Sequence, residues 1–384
     1  MTVDDIKTVA VIGAGEMGHG IAEVALVAGY RVFLRDIRQE FLDKAVQRID
    51  EILKRLVRKG RVSQEVYGEI HGERLRLCVD LKEAVREADL VIEAVPEILD
   101  LKKEVFGEMD RSAPGHALLA TNTSTMRITE VAKATDRPDK VLGLHYFNPP
   151  IIMKLVEVVR GEKTSDETMQ VACDFCLRNR KVPVRVEKDV PGFIVNRVQA
   201  PSVVLLCAIL DEGIAQPEEI DALMRKSLGM PMGPCELMDY IGIDTAYRAS
   251  GYFAESVHPD FAPGRALEER MSAVELGRKT GKGFFDWSEG RPKIDLSKAT
   301  DRIDPVDFTA VQINEATKLI EMGVCSAEDI DTAVAKGTGN KVGVMTVAKD
   351  HDPVALTRRL ERLAERFNKT IFRPTRTVRE GTYR

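Results

Sequence analysis

Short apolar runs alternate with longer stretches of helical period through the first half of the chain. Lys7 to Ile12 (KTVAVI), Arg31 to Arg35, Arg76 to Val79, Leu90 to Val95 (LVIEAV) and Ala117 to Ala120 are the runs. Apolar on both faces and bounded by turn residues, they suit strands of a parallel sheet covered by helices. Between them, HGIAEVALVAG and LKKEVFGEMD place apolar residues at helical spacing. Strand and helix in alternation predict a doubly wound α/β sheet. Residues 39 to 71 are helical for longer than one crossover needs, which predicts an inserted helical hairpin. One of its sides carries Lys54, Arg55, Arg58, Lys59 and Arg61. Such a stripe is a solvated face or a hold for a phosphorylated handle.

Val141 to Val159 (VLGLHYFNPPIIMKLVEVV) breaks this rhythm. Two apolar runs flank Asn148-Pro149-Pro150, so the stretch reads as a hairpin. Folded about residue 151, it sets His145 opposite Glu157. A lone carboxylate inside Leu-Val-Glu-Val-Val is costly to bury without a partner. An imidazole is a suitable one, because the carboxylate favours the imidazolium and fixes which ring nitrogen is free. That pairing is a general base with its orienting group; a structural His beside an edge Glu is the plainer alternative.

The first strand runs into Gly13-Ala14-Gly15-Glu16-Met17-Gly18, then a helix, then a second strand ending in Asp36. In this setting G-x-G-x-x-G is a dinucleotide-binding fingerprint of the Rossmann type. Gly13 permits the tight turn, Gly15 the close approach of a diphosphate, and Gly18 the packing of helix on strand. The diphosphate belongs at the helix N-terminus. Asp36 is placed to accept the adenosine ribose hydroxyls and to repel a 2′-phosphate, which favours NAD, while Arg35 and Arg38 leave NADP open. Thr121-Asn122-Thr123-Ser124-Thr125 follows the strand at 117–120, at the strand ends where ligands of such sheets bind. Ser124 and Thr125 also suit a helix N-cap.

From about residue 187 the pattern becomes all-helical. Asn196 is the neutral hydrogen-bonding side chain in the first turns of FIVNRVQAPSVVLLCAILDEG. Residues 211–229 and 321–339 match at an offset of 110, with Gly213, Ile220, Asp221 and Gly229 answering Gly323, Ile330, Asp331 and Gly339. This internal repeat divides the chain into a nucleotide-binding domain (1–187), a helical domain (188–290), a linker (291–304) and a partial second copy of the helical domain (305–384).

Composition narrows the picture further. A charge of −5, with acids and bases intermixed, shows no basic block for nucleic acid, and no apolar run is long enough for a bilayer. The acidic start leading straight into a strand is unlike a signal peptide. The six cysteines are scattered. Cys173 and Cys176 fall on an amphipathic helix with no second pair at metal spacing, so buried thiols in a reducing cytoplasm are expected and no metal is.

Taken together, GAGEMG with Asp36, EAVPE, ATNTSTM, GLHYFNP followed by MKLVEVV, PGFIVNR, PMGPCEL and KTGKGFF resemble the L-3-hydroxyacyl-CoA dehydrogenase family over about residues 5 to 290. The resemblance implies reversible, NAD-dependent oxidation of an (S)-3-hydroxyacyl-CoA, such as 3-hydroxybutyryl-CoA, to the 3-ketoacyl-CoA, a reaction of fatty-acid β-oxidation. His145 then falls on the catalytic base and Glu157 on its partner, with Ser124 and Asn196 on positions that hydrogen-bond and orient the substrate. Glu97, Lys102, Asn148 and Lys279 fall on NAD-contacting positions, joining Gly13, Gly15, Met17, Gly18, Asp36 and Asn122. Lys59 and Ser124 fall on CoA-substrate positions. Ile52 stands where the family has a CoA-contacting serine, and Phe285 where a tyrosine is usual. Residues 305–384 are similar to the second helical domain of longer, fused relatives. Family members pair through the helical domain, so the chain is expected as a homodimer or as a monomer in which the second copy imitates a partner. Two other enzymes fit the same start. A dehydrogenase of small free hydroxy acids would need a catalytic Lys where Asn196 stands, and one of sugar acids would ignore CoA. A nucleotide-binding regulator without activity would not need the His145, Glu157, Ser124 and Asn196 set.

Overall fold

The computed structural model describes residues 1–383. Eight strands form a single sheet in the order β3-β2-β1-β4-β5-β6-β7-β8. They are β1 (Thr8–Ile12), β2 (Arg31–Arg35), β3 (Leu75–Cys78), β4 (Leu90–Glu93), β5 (Leu118–Thr121), β6 (Val141–Tyr146), β7 (Leu155–Arg160) and β8 (Val182–Val186). All neighbours run parallel except β6 and β7. The strand order reverses between β1 and β4, the switch point at which open α/β sheets bind ligands. β1 is buried along its whole length, as expected of a central strand covered on both faces.

The helices of this half are α1 (Glu16–Val27), α2 (Gln39–Arg58), α3 (Gln64–Glu69), α4 (Leu81–Val85), α5 (Leu99–Ser112), α6 (Ile128–Ala132) and α7 (Asp166–Arg178). The expected hairpin insertion is present as α2 and α3. α2 buries Leu42, Ala45, Ile49 and Leu53, spaced three or four apart, and turns its charges outward. Ser165 caps α7 by accepting the Thr168 N–H. Cys173 and Cys176 lie inside α7 as buried thiols. Burial pushes the Cys173 thiol up to about 11.

The helical half comprises α8 (Val195–Asp211), α9 (Pro217–Leu228), α10 (Pro234–Ile241), α11 (Ile243–Ser256) and α12 (Arg265–Ser272). After a segment with one short turn at Leu296–Lys298, α13 (Pro305–Glu321), α14 (Ala327–Thr338), α15 (Val344–Ala348), α16 (Pro353–Arg366) and α17 (Arg376–Glu380) repeat the series. The copies share their stops. Gly229 ends α9 and Gly339 ends α14, both left-handed, where a side chain would be strained. α8 begins at Val195, later than the apolar run from Phe193 suggests. Gly192 and Phe193 take positive φ (76° and 53°) and turn the chain before the helix can start.

By contacts the chain separates into two compact units, residues 1–194 with 323–341, and residues 195–322 with 342 onward. The first includes α14, which packs on β7 and β8, and the Val324 carbonyl accepts the Glu187 N–H at 2.8 Å. In the second, α13 packs along α8, while the segment at 296–298 lies on α9, with Lys298 paired to Glu218 and Arg302 to Glu219. Among the described residues, no helix is long and apolar enough to cross a membrane.

Candidate active site

The β6–β7 hairpin pairs His145 with Glu157 directly across the antiparallel ladder. His145 Nδ1 lies 2.6 Å from Glu157 Oε2. Glu157 is wholly buried and His145 nearly so. The second carboxylate oxygen, Oε1, accepts the Ile194 backbone N–H at 3.1 Å. An ionised carboxylate only accepts, so this contact puts the proton on Nδ1 and leaves Nε2 as the basic nitrogen. The rings of Phe147 and Phe193, with centroids 4.5 Å and 5.6 Å from that of His145, wall the imidazole and hold its orientation.

The glycine turn fits a dinucleotide. A Cβ on Gly13 would lie 2.5 Å from the Ala94 carbonyl oxygen, and one on Gly18 1.7 Å from the Gly13 oxygen, so both glycines are required by packing. Gly15 faces open space at the N-terminus of the 12-residue α1, the side from which a diphosphate can approach. Met17, in the first turn of the same helix, packs on the sheet core. Asp36 accepts the Ala14 and Ile37 N–H groups, each at 2.7 Å, which locks it to the turn and leaves lone pairs for ribose hydroxyls.

A chain of charges organises the ends of β4 and β5. Lys102, 1% exposed, donates to Glu93 at 2.7 Å and to the Val95 carbonyl at 3.3 Å, and lies 3.1 Å from Glu97. Glu93 also accepts the Thr121 hydroxyl at 2.7 Å. Glu97 accepts the Thr123 hydroxyl and, at 3.1 Å, the Ser124 N–H, so it shapes the turn that presents Ser124. Burial pushes the Glu97 carboxyl up, but Lys102, the Thr123 hydroxyl and the Ser124 N–H outweigh it and hold the group below the usual carboxylate range. Lys102 thus reaches the site through Glu97 and Glu93. Asn122 accepts the Tyr146 N–H at 2.8 Å, tying the end of β5 to the residue after His145 and leaving its amide N–H groups to donate. Asn148 is exposed just beyond β6, and Lys59 is exposed at the end of α2.

These residues belong to the first unit, and most stand at the carboxyl ends of the parallel strands. Asn196 and Lys279 belong to the second. Asn196 lies in the first turn of α8, two residues along the chain from the Ile194 that binds Glu157. Lys279 is ion-paired with Asp244, and its loop is held by Asp239, which accepts the Phe284 and Phe285 N–H groups at 2.8 Å and the Trp287 indole N–H at 3.0 Å.

Two groups escaped the sequence reading. Glu93 is a lone acid in an apolar strand, the same signal that exposes Glu157, and LVIEAV carries it openly. The Ile194 N–H is a backbone donor aimed by the turn at Gly192 and Phe193, and no side-chain pattern reports it.

A carboxylate-oriented imidazole on the same sheet as a dinucleotide cradle defines an oxidoreductase that uses a nicotinamide cofactor. The NAD-binding domain of 3-hydroxyacyl-CoA dehydrogenase matches residues 8–190, and the C-terminal domain of that family matches residues 192–287 and again 308–381. The chain belongs to the 3-hydroxyacyl-CoA dehydrogenase family. It is 41% identical over 288 residues to the mitochondrial hydroxyacyl-coenzyme A dehydrogenase of Mus musculus, covering 73% of this chain and 91% of that one. It is 41% identical over 305 residues to the 3-hydroxyadipyl-CoA dehydrogenase of Escherichia coli, covering 79% of this chain and 64% of that one. A crystal structure of 3-hydroxybutyryl-CoA dehydrogenase from Escherichia coli K12 superposes with a TM-score of 0.89 at 31% identity over 98% of both chains, so the likeness extends through the second helical copy.

Proposed function

We propose that the protein oxidises (S)-3-hydroxyacyl-CoA thioesters reversibly to 3-ketoacyl-CoA, with His145 as general base. The observation that carries this reading is the 2.6 Å contact of His145 Nδ1 with a buried carboxylate whose other oxygen is itself hydrogen-bonded. His145 Nε2 takes the proton of the 3-hydroxyl and returns it in the reverse direction. Glu157 holds the ring in one tautomer and stabilises the imidazolium that forms. Ser124 and Asn196 donate to the substrate oxygen as negative charge develops there, which favours the transition state over the ground state. Gly13, Gly15, Met17, Gly18, Asp36, Glu97, Lys102, Asn122, Asn148 and Lys279 hold or shape the place of the dinucleotide, which when bound accepts the hydride from C3.

NAD is favoured over NADP. Asp36 offers a negative charge where a 2′-phosphate would sit, and the nearby arginines are engaged, Arg35 on the Val79 carbonyl at 3.0 Å and Arg38 on Glu40 at 3.3 Å. Lys59 and the basic side of α2 suit the phosphates of CoA. The buried thiols suit a reducing compartment, and we assign the enzyme to the cytoplasm. The packing of α13 on α8 supports a monomer whose second copy takes a partner's place.

NADH formation tests the reading, with (S)-3-hydroxybutyryl-CoA compared with free 3-hydroxybutyrate, and NAD with NADP. The thioester with NAD is expected to turn over at least about 100-fold faster than the free acid, in keeping with a rate that draws on binding the remote CoA handle. Equal rates for the two would rule out the CoA assignment.

A further inference from the structure

The second helical copy carries none of the side chains assigned to the chemistry, yet one of its carboxylates is buried against the helix that carries Asn196. α8 and α13 are counterparts, each 17 residues long and 110 residues apart in sequence, and they pack along one another. Between them Arg197 Nε donates to Glu315 Oε1 at 2.5 Å. Both side chains are buried, 8% and 1% exposed. Lys318 donates to the other Glu315 oxygen at 2.8 Å and to the Ile371 carbonyl at 2.7 Å, so the carboxylate is fixed from its own side.

The repeat supplies an internal control. If the two copies made this contact reciprocally, a second ion pair would join positions 307 and 205. Those positions are Asp307 and Leu205. Asp307 pairs instead with Arg359 and Arg362, and Leu205 is buried in apolar packing. The pair is therefore made once, at the end of α8 that bears Asn196; the residue answering Asn196 in α13 is Val306. A buried ion pair contributes little net stability compared with apolar packing, so stability alone does not explain its presence. A guanidinium, however, fixes direction as well as distance.

Two features explain why that turn needs fixing. Pro201 lies inside α8 and has no N–H to donate to the carbonyl four residues back, which is that of Arg197. The first turn is thus loosened at the residue that Glu315 holds. On the other side of Asn196, the chain is fixed by the Ile194 N–H bonded to Glu157. Along the chain, Asn196 thus lies between Ile194, whose N–H is held by Glu157, and Arg197, which is held by Glu315.

We infer that Glu315 is a positioning residue for the reaction, acting through Arg197 to fix the turn that carries Asn196. The second copy then does more than cover the first, because it supplies the charge that aligns a hydrogen-bond donor of the site. This rests on the functional reading of Asn196 given above.

The test is a double-mutant cycle on the full chain with (S)-3-hydroxybutyryl-CoA and NAD. Glu315→Gln keeps size and removes charge. It is expected to lower kcat about tenfold, within the range that small misplacements produce, with KM for NAD unchanged. In an Asn196→Ala background the same substitution is expected to cost less than about twofold, because there is no donor left to misplace. Glu315→Asp should restore part of the loss. Should Glu315→Gln not fold, the paired Arg197→Met/Glu315→Leu variant, which removes both charges of the buried pair and leaves Lys318 on the Ile371 carbonyl, is expected to fold and to show the tenfold loss. Wild-type kcat in Glu315→Gln or in the paired variant overturns the inference, as does an equal loss in both backgrounds, which marks a merely structural role. Those results beside a disabled Asn196→Ala overturn the anchor alone; full turnover in Asn196→Ala overturns the reading of Asn196 and the anchor with it.

Discussion

The β6–β7 hairpin and the helical repeat place their polar groups by opposite means. In the hairpin, the ladder register sets His145 against Glu157, and a slip of one residue would turn one of them to the other face. Position and chemistry are inseparable there. In the helical half the same series of helices occurs twice, with the same left-handed glycine stops at Gly229 and Gly339, while Asn196 is answered by Val306. With Asn196 assigned to the site as proposed, scaffold and chemistry come apart, and one copy is free to support the other. A strand pair therefore tolerates little change at the site, whereas a repeated helical scaffold keeps its shape while individual positions lose or acquire a role.

The comparison breaks first at the hairpin if it is wrong. Glu157→Gln keeps the shape of the side chain and removes the charge proposed to stabilise the imidazolium; turnover is expected to fall by about two orders of magnitude, the scale of a lost general-base contribution. Steady-state kinetics giving less than a threefold loss would show that the register is structural only. The helical half gives a paired prediction of intermediate size. Asn196→Ala should reduce kcat by roughly 10- to 100-fold, as loss of a donor to developing charge does, and Val306→Ala, its counterpart, by less than about twofold. Equal effects at the two positions would erase the distinction between the copies.

The smallest effect comes from α1 and is read in stability, not rate. Glu23 in α1 is wholly buried, and neither carboxylate oxygen has a hydrogen-bond partner. Burial raises its pKa from 4.5 to about 8, against a smaller lowering by Lys181. A carboxyl with a raised folded pKa takes up a proton on folding, so its contribution is fully present below 4.5 and is lost as pH rises through about 8. Glu23→Gln should therefore raise Tm by a few degrees at pH 8 and leave it nearly unchanged at pH 4.5, with kcat unaltered. Scanning calorimetry across that range decides it, and a Tm difference independent of pH would contradict the assignment.

Much of this was legible in the chain because its signals are local. The turn from Gly13 to Gly18 lies between a strand and a helix, and Asp36 closes the next strand. Asn148-Pro149-Pro150 marks the hairpin, and one acid in an apolar strand asks for a partner. The groups that were not legible depend on tertiary geometry. The Ile194 N–H meets Glu157 only because Gly192 and Phe193 bend the chain, and the Arg197–Glu315 pair joins residues 118 apart. The repeat was readable as a repeat, but not the packing of α14 on β7 and β8, because a helical period reports which face is buried and not what buries it.

The central claim is that His145 removes the proton. The most direct measurement is the single-turnover rate of NADH formation by His145→Gln with saturating NAD and (S)-3-hydroxybutyryl-CoA, beside NAD affinity measured on the same preparation. A rate at least about 100-fold below wild type with NAD binding intact is the predicted result. A rate within threefold of wild type would contradict it and remove His145 from the reaction.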